Sequence, residues 1–204
     1  MNLPNKLTIL RICLVPVFMI VMMAPIPFHP DAVISDLICR GVAALVFIIT
    51  SITDMLDGKI ARKYNLITNF GKFMDPLADK FMVFGALLSI IYRYRADRAL
   101  PVIICAAAIV MFRELAVTSI RLVVSGNEGI VVAASWLGKV KTVLQIVFIC
   151  TILLEPLVLY PFKSFAFYDW TILTYVTMAA MVFMTLWSGF DYIKSYWKFI
   201  SPND

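Results

Sequence analysis

The chain has 204 residues, 62% of them hydrophobic and only 15% charged, with a net charge of +5. A soluble domain is roughly 45–50% apolar and about 25% charged, so the composition excludes an ordinary water-soluble globule and describes an integral membrane protein of one domain, residues 1–204. The surplus of Lys and Arg belongs to loops that face the cytoplasm and anionic headgroups, and no basic, aromatic-interleaved array points to nucleic acid.

Along Met1–Arg11, Asn5, Thr8 and Arg11 recur every third residue and share one side of a helix. The default reading is a short interfacial amphipathic segment leading into the first membrane helix; the alternative is a polar side turned toward a site. The apolar run 12–24 is short like a signal-peptide core, but no small-residue cleavage site follows, so it reads as a retained helix. Pro25, Pro27 and Pro30 mark a loop, which carries the single His29 as a bystander. Helix 2 is expected over Ser35–Arg62, a polar turn over Tyr64–Phe70 and helix 3 over Gly71–Tyr92. Helix 4 is expected over Ala99–Val124 and a turn at Ser125–Gly129. Helix 5 follows over Val131–Tyr160 and helix 6 over Trp170–Phe199, with aromatic ends at the membrane interfaces. Cys13, Cys39, Cys105 and Cys150 lie far apart in apolar runs, with no CxxC, and read as packing residues.

Six spanning helices put both termini on one side. Lys6, Arg11, Lys59, Arg62, Lys139 and Lys141 are among the charges on that side, against Arg93, Arg95, Arg98 and Lys163 on the other. The balance places the termini in the cytoplasm. Arg93–Arg98 is a local exception that Asp97 offsets only in part.

Four carboxylates fall within the 26 residues Asp54–Asp79, where helices 2 and 3 meet. At about 100° per residue, Asp54 and Asp57 lie about 60° apart on one helix, and Asp75 and Asp79 about 40° apart on the next. A short connection makes the helices antiparallel neighbours, so both pairs converge at the cytoplasmic face. Acids beside a membrane core are costly, and their default reading is functional. Four together repel one another unless a cation joins them. Oxygen ligands without nearby His or Cys select Mg²⁺, Mn²⁺ or Ca²⁺ over zinc. Gly58, Ala61 and Gly71 leave room for a ligand to approach the backbone, and Arg62 borders the acids. Such a set suits metal-bridged phosphates, although small residues also serve helix packing.

The pattern Asp54-x2-Asp57-Gly58-x2-Ala61-Arg62-x8-Gly71-x3-Asp75-x3-Asp79 resembles, at every defined position, the signature of the CDP-alcohol phosphatidyltransferases. The resemblance implies a six-helix membrane enzyme, usually homodimeric, that moves a phosphatidyl group from CDP-diacylglycerol to an alcohol and releases CMP. It implies that Asp54, Asp57, Asp75 and Asp79 hold two divalent ions, Mg²⁺ or Mn²⁺, with Asp79 also the general base. It also implies that Gly58, Ala61, Arg62 and Gly71 face the nucleotide, together with Asp54, Asn5 and Thr8.

The signature does not choose the alcohol. Arg113, Arg121, Lys139 and Lys141, expected near the cytoplasmic ends of helices 4 and 5, suit a second anion; loop charge is the bland alternative, weakest for Arg113 inside an apolar helix. Three pieces resemble bacterial phosphatidylglycerophosphate synthases: Asn2-Leu-Pro4-Asn5-x2-Thr8-x2-Arg11, Arg113-Glu114-x2-Val117-Thr118-x2-Arg121 and Gly138-Lys139-x-Lys141-Thr142. They imply sn-glycerol 3-phosphate as acceptor and a bacterial inner membrane as location. Serine, inositol phosphate or phosphatidylglycerol would keep the chemistry and change the acceptor. A divalent-cation transporter should carry its acids at mid-membrane and show repeats, and an inert scaffold leaves the small residues unexplained. Residues 143–204 contribute hydrophobicity and interface aromatics alone.

Overall fold

The computed structural model describes residues 2–24, 30–64, 68–128, 136–162 and 171–197, leaving aside the side chains of 57, 59, 61–63, 69, 72 and 125–128. Its regular structure there is helical: α1 (Leu3–Met23), α2 (Ala32–Lys63), α3 (Asn69–Arg93), α4 (Leu100–Glu128), α5 (Trp136–Leu159) and α6 (Ile172–Tyr196), with a 3-10 turn at Tyr160–Phe162. The expected loop residues Pro25, Pro27, His29, Asn65 and Lys163 lie outside the described residues.

Local chemistry sets the helix starts. The Asp31 carboxylate accepts from the Val33 and Ile34 amides at 2.8 and 3.3 Å and caps α2. Thr68 caps α3 by accepting from the Gly71 amide at 3.0 Å. Asp97 accepts from the Ala99 amide at 2.7 Å just before α4. These side chains satisfy amides that a helix's first turn leaves open.

Three expectations change. The N-terminal polar segment is not a separate piece, because α1 runs without a break from Leu3, with Pro4 in its first turn, where a missing amide costs nothing. The turn begun at Tyr64 ends sooner than expected, since Asn69 and Phe70 already belong to α3. The turn expected at Ser125–Gly129 begins late, since α4 continues through Glu128 despite Gly126; a single glycine costs a helix only about 1 kcal/mol.

Five helical stretches are long and apolar enough to cross a membrane: Leu3–Met23, Ala32–Leu56, Leu100–Val124, Trp136–Phe162 and Ile172–Tyr196. The sixth helix, α3, is not among them. Lys72, Asp75, Asp79 and Lys80 occupy its first half, leaving about 18 Å of apolar helix where the hydrocarbon core is about 30 Å thick. Ile20, Leu45, Phe112, Leu122 and Phe190 stand exposed on the helices, a surface suited to acyl chains rather than water. Hydroxyls within the apolar stretches donate to carbonyls one turn back, as Thr50 does to Val46, Ser89 to Gly85 and Thr185 to Met181. That closure lets them sit in a medium without water. All four cysteines are free thiols.

The chain forms two compact units, Met1–Leu100 with Ile149–Ile172, and Pro101–Phe148 with Leu173–Asp204. In the first, α1 packs on both α2 and α3, burying Val15, Phe18, Phe47, Met82 and Ile90. A Cβ on Gly85 would come within 2.7 Å of Val15 Cγ1, so glycine is what lets α3 approach α1 this closely. In the second, Val110, Val117 and Val124 of α4, Phe148 of α5 and Met178 and Met181 of α6 are buried.

The first unit also accounts for part of the charge at 93–98. Arg93 pairs with Asp36 and donates to the Met22 carbonyl at 3.1 Å, closing the end of α1. Arg40 donates to Asp36 at 2.7 Å and to the Tyr94 hydroxyl at 3.0 Å. Two of the basic residues at this end are thereby held by one carboxylate, Asp36, which the expected charge balance overlooked.

Candidate active site

The helical phase of Asn5, Thr8 and Arg11 brings all three onto one stripe of α1, and that stripe is buried, Arg11 completely. The surface reading of this segment is therefore overturned. A polar stripe is kept inside only where it finds partners, and the partners here are the signature acids. Thr8 Oγ1 lies 2.8 Å from Asp75 Oδ1 and 3.1 Å from the Pro4 carbonyl. Arg11 Nη1 lies 2.5 Å from Asp54 Oδ1. Thr68 Oγ1 donates to Asn5 Oδ1 at 3.0 Å. One helix thus touches Asp54 on α2, Asp75 on α3 and the cap of α3.

Gly71 sits among these groups. A Cβ there would lie 3.2 Å from Asn5 Oδ1, 3.3 Å from Thr68 Oγ1 and 3.7 Å from Asp75 Oδ2. The missing side chain keeps that polar corner from crowding. Asp54 and Asp75 are near enough to repel each other electrostatically. Asp79 is half-buried one turn further along α3, and Gly58 half-buried on α2. Ala61 and Arg62 lie within α2, but their side chains, and that of Asp57, are outside the described set. Among the described residues no three of His, Cys, Asp and Glu are grouped to hold an ion. Asp54 and Asp75 are each tied to α1, through Arg11 and Thr8.

The second unit holds another polar cluster. Glu114 on α4 pairs with Lys141 on α5, accepts from Gln145 Nε2 at 3.4 Å and lies 3.7 Å from Arg113 Nη1. Arg113 donates to Ser188 Oγ on α6 at 2.7 Å. Arg121 donates from Nε to the Tyr192 hydroxyl at 2.9 Å. Arg113 and Lys141 are buried, whereas Arg121 and Lys139 are exposed. Arg113 and Lys141 thus meet at Glu114, Arg121 is held separately by Tyr192, and no described hydrogen bond brings in Lys139. Gln145, Ser188 and Tyr192 correct the view that residues 143–204 supply only hydrophobicity. Their signal was present as Thr185-x2-Ser188-Gly189-x2-Tyr192, small and polar residues on a single helical stripe.

Comparison with known proteins identifies the family. The sequence profile of CDP-alcohol phosphatidyltransferases matches residues 1–192. The chain belongs to the CDP-alcohol phosphatidyltransferase family. It is 42% identical to the CDP-diacylglycerol–glycerol-3-phosphate 3-phosphatidyltransferase of Bacillus subtilis (strain 168), over 100% of this chain and 99% of that protein. It is 32% identical to the enzyme of the same name from Escherichia coli (strain K12), over 95% of this chain and 94% of that protein. Membership makes the chain a membrane phosphatidyltransferase of a metal-dependent family. The described donors, Asp54 on α2 and Asp75 on α3, are oxygen only, which is compatible with a hard divalent ion.

Proposed function

We propose that the chain transfers the phosphatidyl group of CDP-diacylglycerol to sn-glycerol 3-phosphate, giving phosphatidylglycerophosphate and CMP in phospholipid biosynthesis. The observation that carries the donor half is the grip of Thr8 on Asp75 and of Arg11 on Asp54, which ties two of the signature acids to one helix beside the buried Gly71. The acceptor half is supported by the full-length likeness to relatives with that name and by the surplus of cations around Glu114.

In this reading Asp54, Asp57, Asp75 and Asp79 hold two divalent ions, Mg²⁺ or Mn²⁺. When bound, such ions neutralise the pyrophosphate and the departing phosphate. Asn5, Thr8, Asp54, Gly58, Ala61, Arg62 and Gly71 bind the nucleotide end of the donor. Arg113, Arg121, Lys139 and Lys141 bind the acceptor's phosphate, orienting its primary hydroxyl. Asp79 takes the proton from that hydroxyl as the oxygen bonds to the lipid-bearing phosphorus and the bond from that phosphorus to CMP breaks. Positioning supplies most of the rate, as is usual in phosphoryl transfer.

Residues 1–204 act as one catalytic domain in the bacterial inner membrane. All six helices are embedded, α3 by its apolar half with its acidic half at the cytoplasmic face, and both termini are cytoplasmic. The working form is a homodimer. Purified protein in mixed micelles with CDP-diacylglycerol, Mg²⁺ and labelled sn-glycerol 3-phosphate is expected to form a chloroform-soluble phosphate product. Consumption of serine, inositol phosphate or phosphatidylglycerol in its place would overturn the acceptor assignment and leave the family chemistry standing.

A further inference from the structure

An arginine binds phosphate better when something already holds it in place, because its long side chain otherwise loses rotamer entropy on binding. In the second unit that support comes from α6. Its buried stripe is apolar at Met178 and Met181, then changes to Thr185, Ser188, Gly189 and Tyr192. The change occurs where α4 carries Arg113 and Arg121.

Each of these α6 residues has a distinct contact. The Ser188 hydroxyl accepts from Arg113 Nη2 at 2.7 Å and lies 3.5 Å from the Thr185 carbonyl, which can take its proton and leave its lone pairs to the guanidinium. Gly189 admits the Arg113 stem, and a Cβ there would stand 3.2 Å from Arg113 Cγ. Tyr192 accepts from Arg121 Nε at 2.9 Å, and the Arg121 guanidinium carbon lies 5.1 Å from the centre of its ring. Ser188 and Tyr192 are both buried.

Among the described residues Glu114 is the carboxylate that engages Arg113 and Lys141, and no described ion pair holds Arg121. Arg113 and Arg121 are close enough to repel each other. Arg113 Nε, also buried, has no hydrogen-bond partner among the described residues. Ser188 and Tyr192 contribute only hydroxyls, which orient the two guanidiniums without neutralising them. An anion that accepts from both would remove the repulsion.

We propose that Ser188, Gly189 and Tyr192 form a seat on α6 that fixes Arg113 and Arg121 for the phosphate of the acceptor, making α6 a specificity element. These are positioning residues, acting through the two arginines. The proposal rests on the acceptor reading given above and adds the residues that make it selective.

The test uses the full-length enzyme in mixed micelles. Tyr192→Phe removes one hydroxyl and keeps the ring under Arg121, so the fold is preserved. Ser188→Ala removes the Arg113 acceptor, and Ser188→Thr restores it. A hydrogen bond to a charged group is stronger than one between neutral groups; acting one residue removed from the ligand, each loss is expected to raise the KM for sn-glycerol 3-phosphate about threefold to tenfold. The KM for CDP-diacylglycerol should stay unchanged, and Ser188→Thr should return the acceptor KM toward the parent value. An acceptor KM within twofold of the parent in both Tyr192→Phe and Ser188→Ala would overturn the seat, as would equal rises in both KM values. Arg113→Ala and Arg121→Ala separate the two levels. If they raise the acceptor KM while the seat variants do not, only the seat fails. If they leave it unchanged, the acceptor site itself is elsewhere and both readings fall.

Discussion

Arg11 is completely buried, while the Asp54 side chain that it holds keeps 41% of its surface exposed. The asymmetry has a physical use. The cation pays for desolvation through its pair, and the carboxylate keeps an open side from which it can serve a ligand. Thr8 does the same for Asp75 with a neutral hydroxyl, leaving that acid's charge uncancelled. Asp79 is half-buried on the same helix, and the general-base assignment is tested there. Asp79→Asn preserves size and removes both the charge and the proton acceptor. Turnover is expected to fall about 10²–10⁴-fold, while CDP-diacylglycerol binding, measured separately by equilibrium partition, stays within a few-fold. Full residual turnover would end the assignment.

At the scale of elements, α1 binds the first unit together. It packs on α2 and α3, meets the acids with its first three turns and is closed at Met22 by Arg93. It comes so near α3 at Gly85 that a Cβ there would lie 2.7 Å from Val15 Cγ1. Helix pairs in lipid gain stability mainly from packing, because lipid tails solvate apolar side chains as well as protein does. Gly85→Leu is therefore expected to separate α1 from α3 and destabilise the unit by about 1–3 kcal/mol, the usual range for overpacking. A lowered Tm in detergent would show it, with activity falling in parallel because Thr8 and Arg11 ride on the same helix. An unchanged Tm would mean that the approach at Gly85 is not close in the membrane.

At the scale of the molecule, orientation is set by charge. Arg93 and Arg40 are drawn to Asp36, so part of the positive charge at that end is structural and weakens the exception to the positive-inside rule. A version lacking the four cysteines, carrying either Ala96→Cys or Asn2→Cys, tests the outcome in intact cells. A membrane-impermeant maleimide is expected to label position 96 from outside and to reach position 2 only after the membrane is opened. The reverse pattern would place the acids on the outer face, away from the cytosolic supply of a phosphorylated acceptor.

The helical class, the approximate helix positions and the Asp54–Asp79 signature are legible in the amino-acid order alone. These depend on composition and on spacing along one helix, both of which are local. The same order also held the signals for Asn5–Thr8–Arg11 and for Thr185–Ser188–Gly189–Tyr192, but not their direction. A polar stripe has the same period whether it meets water, headgroups or another helix. That Thr8 meets Asp75, that Arg11 meets Asp54 and that Tyr192 holds Arg121 is visible only once the helices are packed. Those partners are separated by tens of residues in the chain. What joins them is the way the helices pack, which no single helix's pattern encodes.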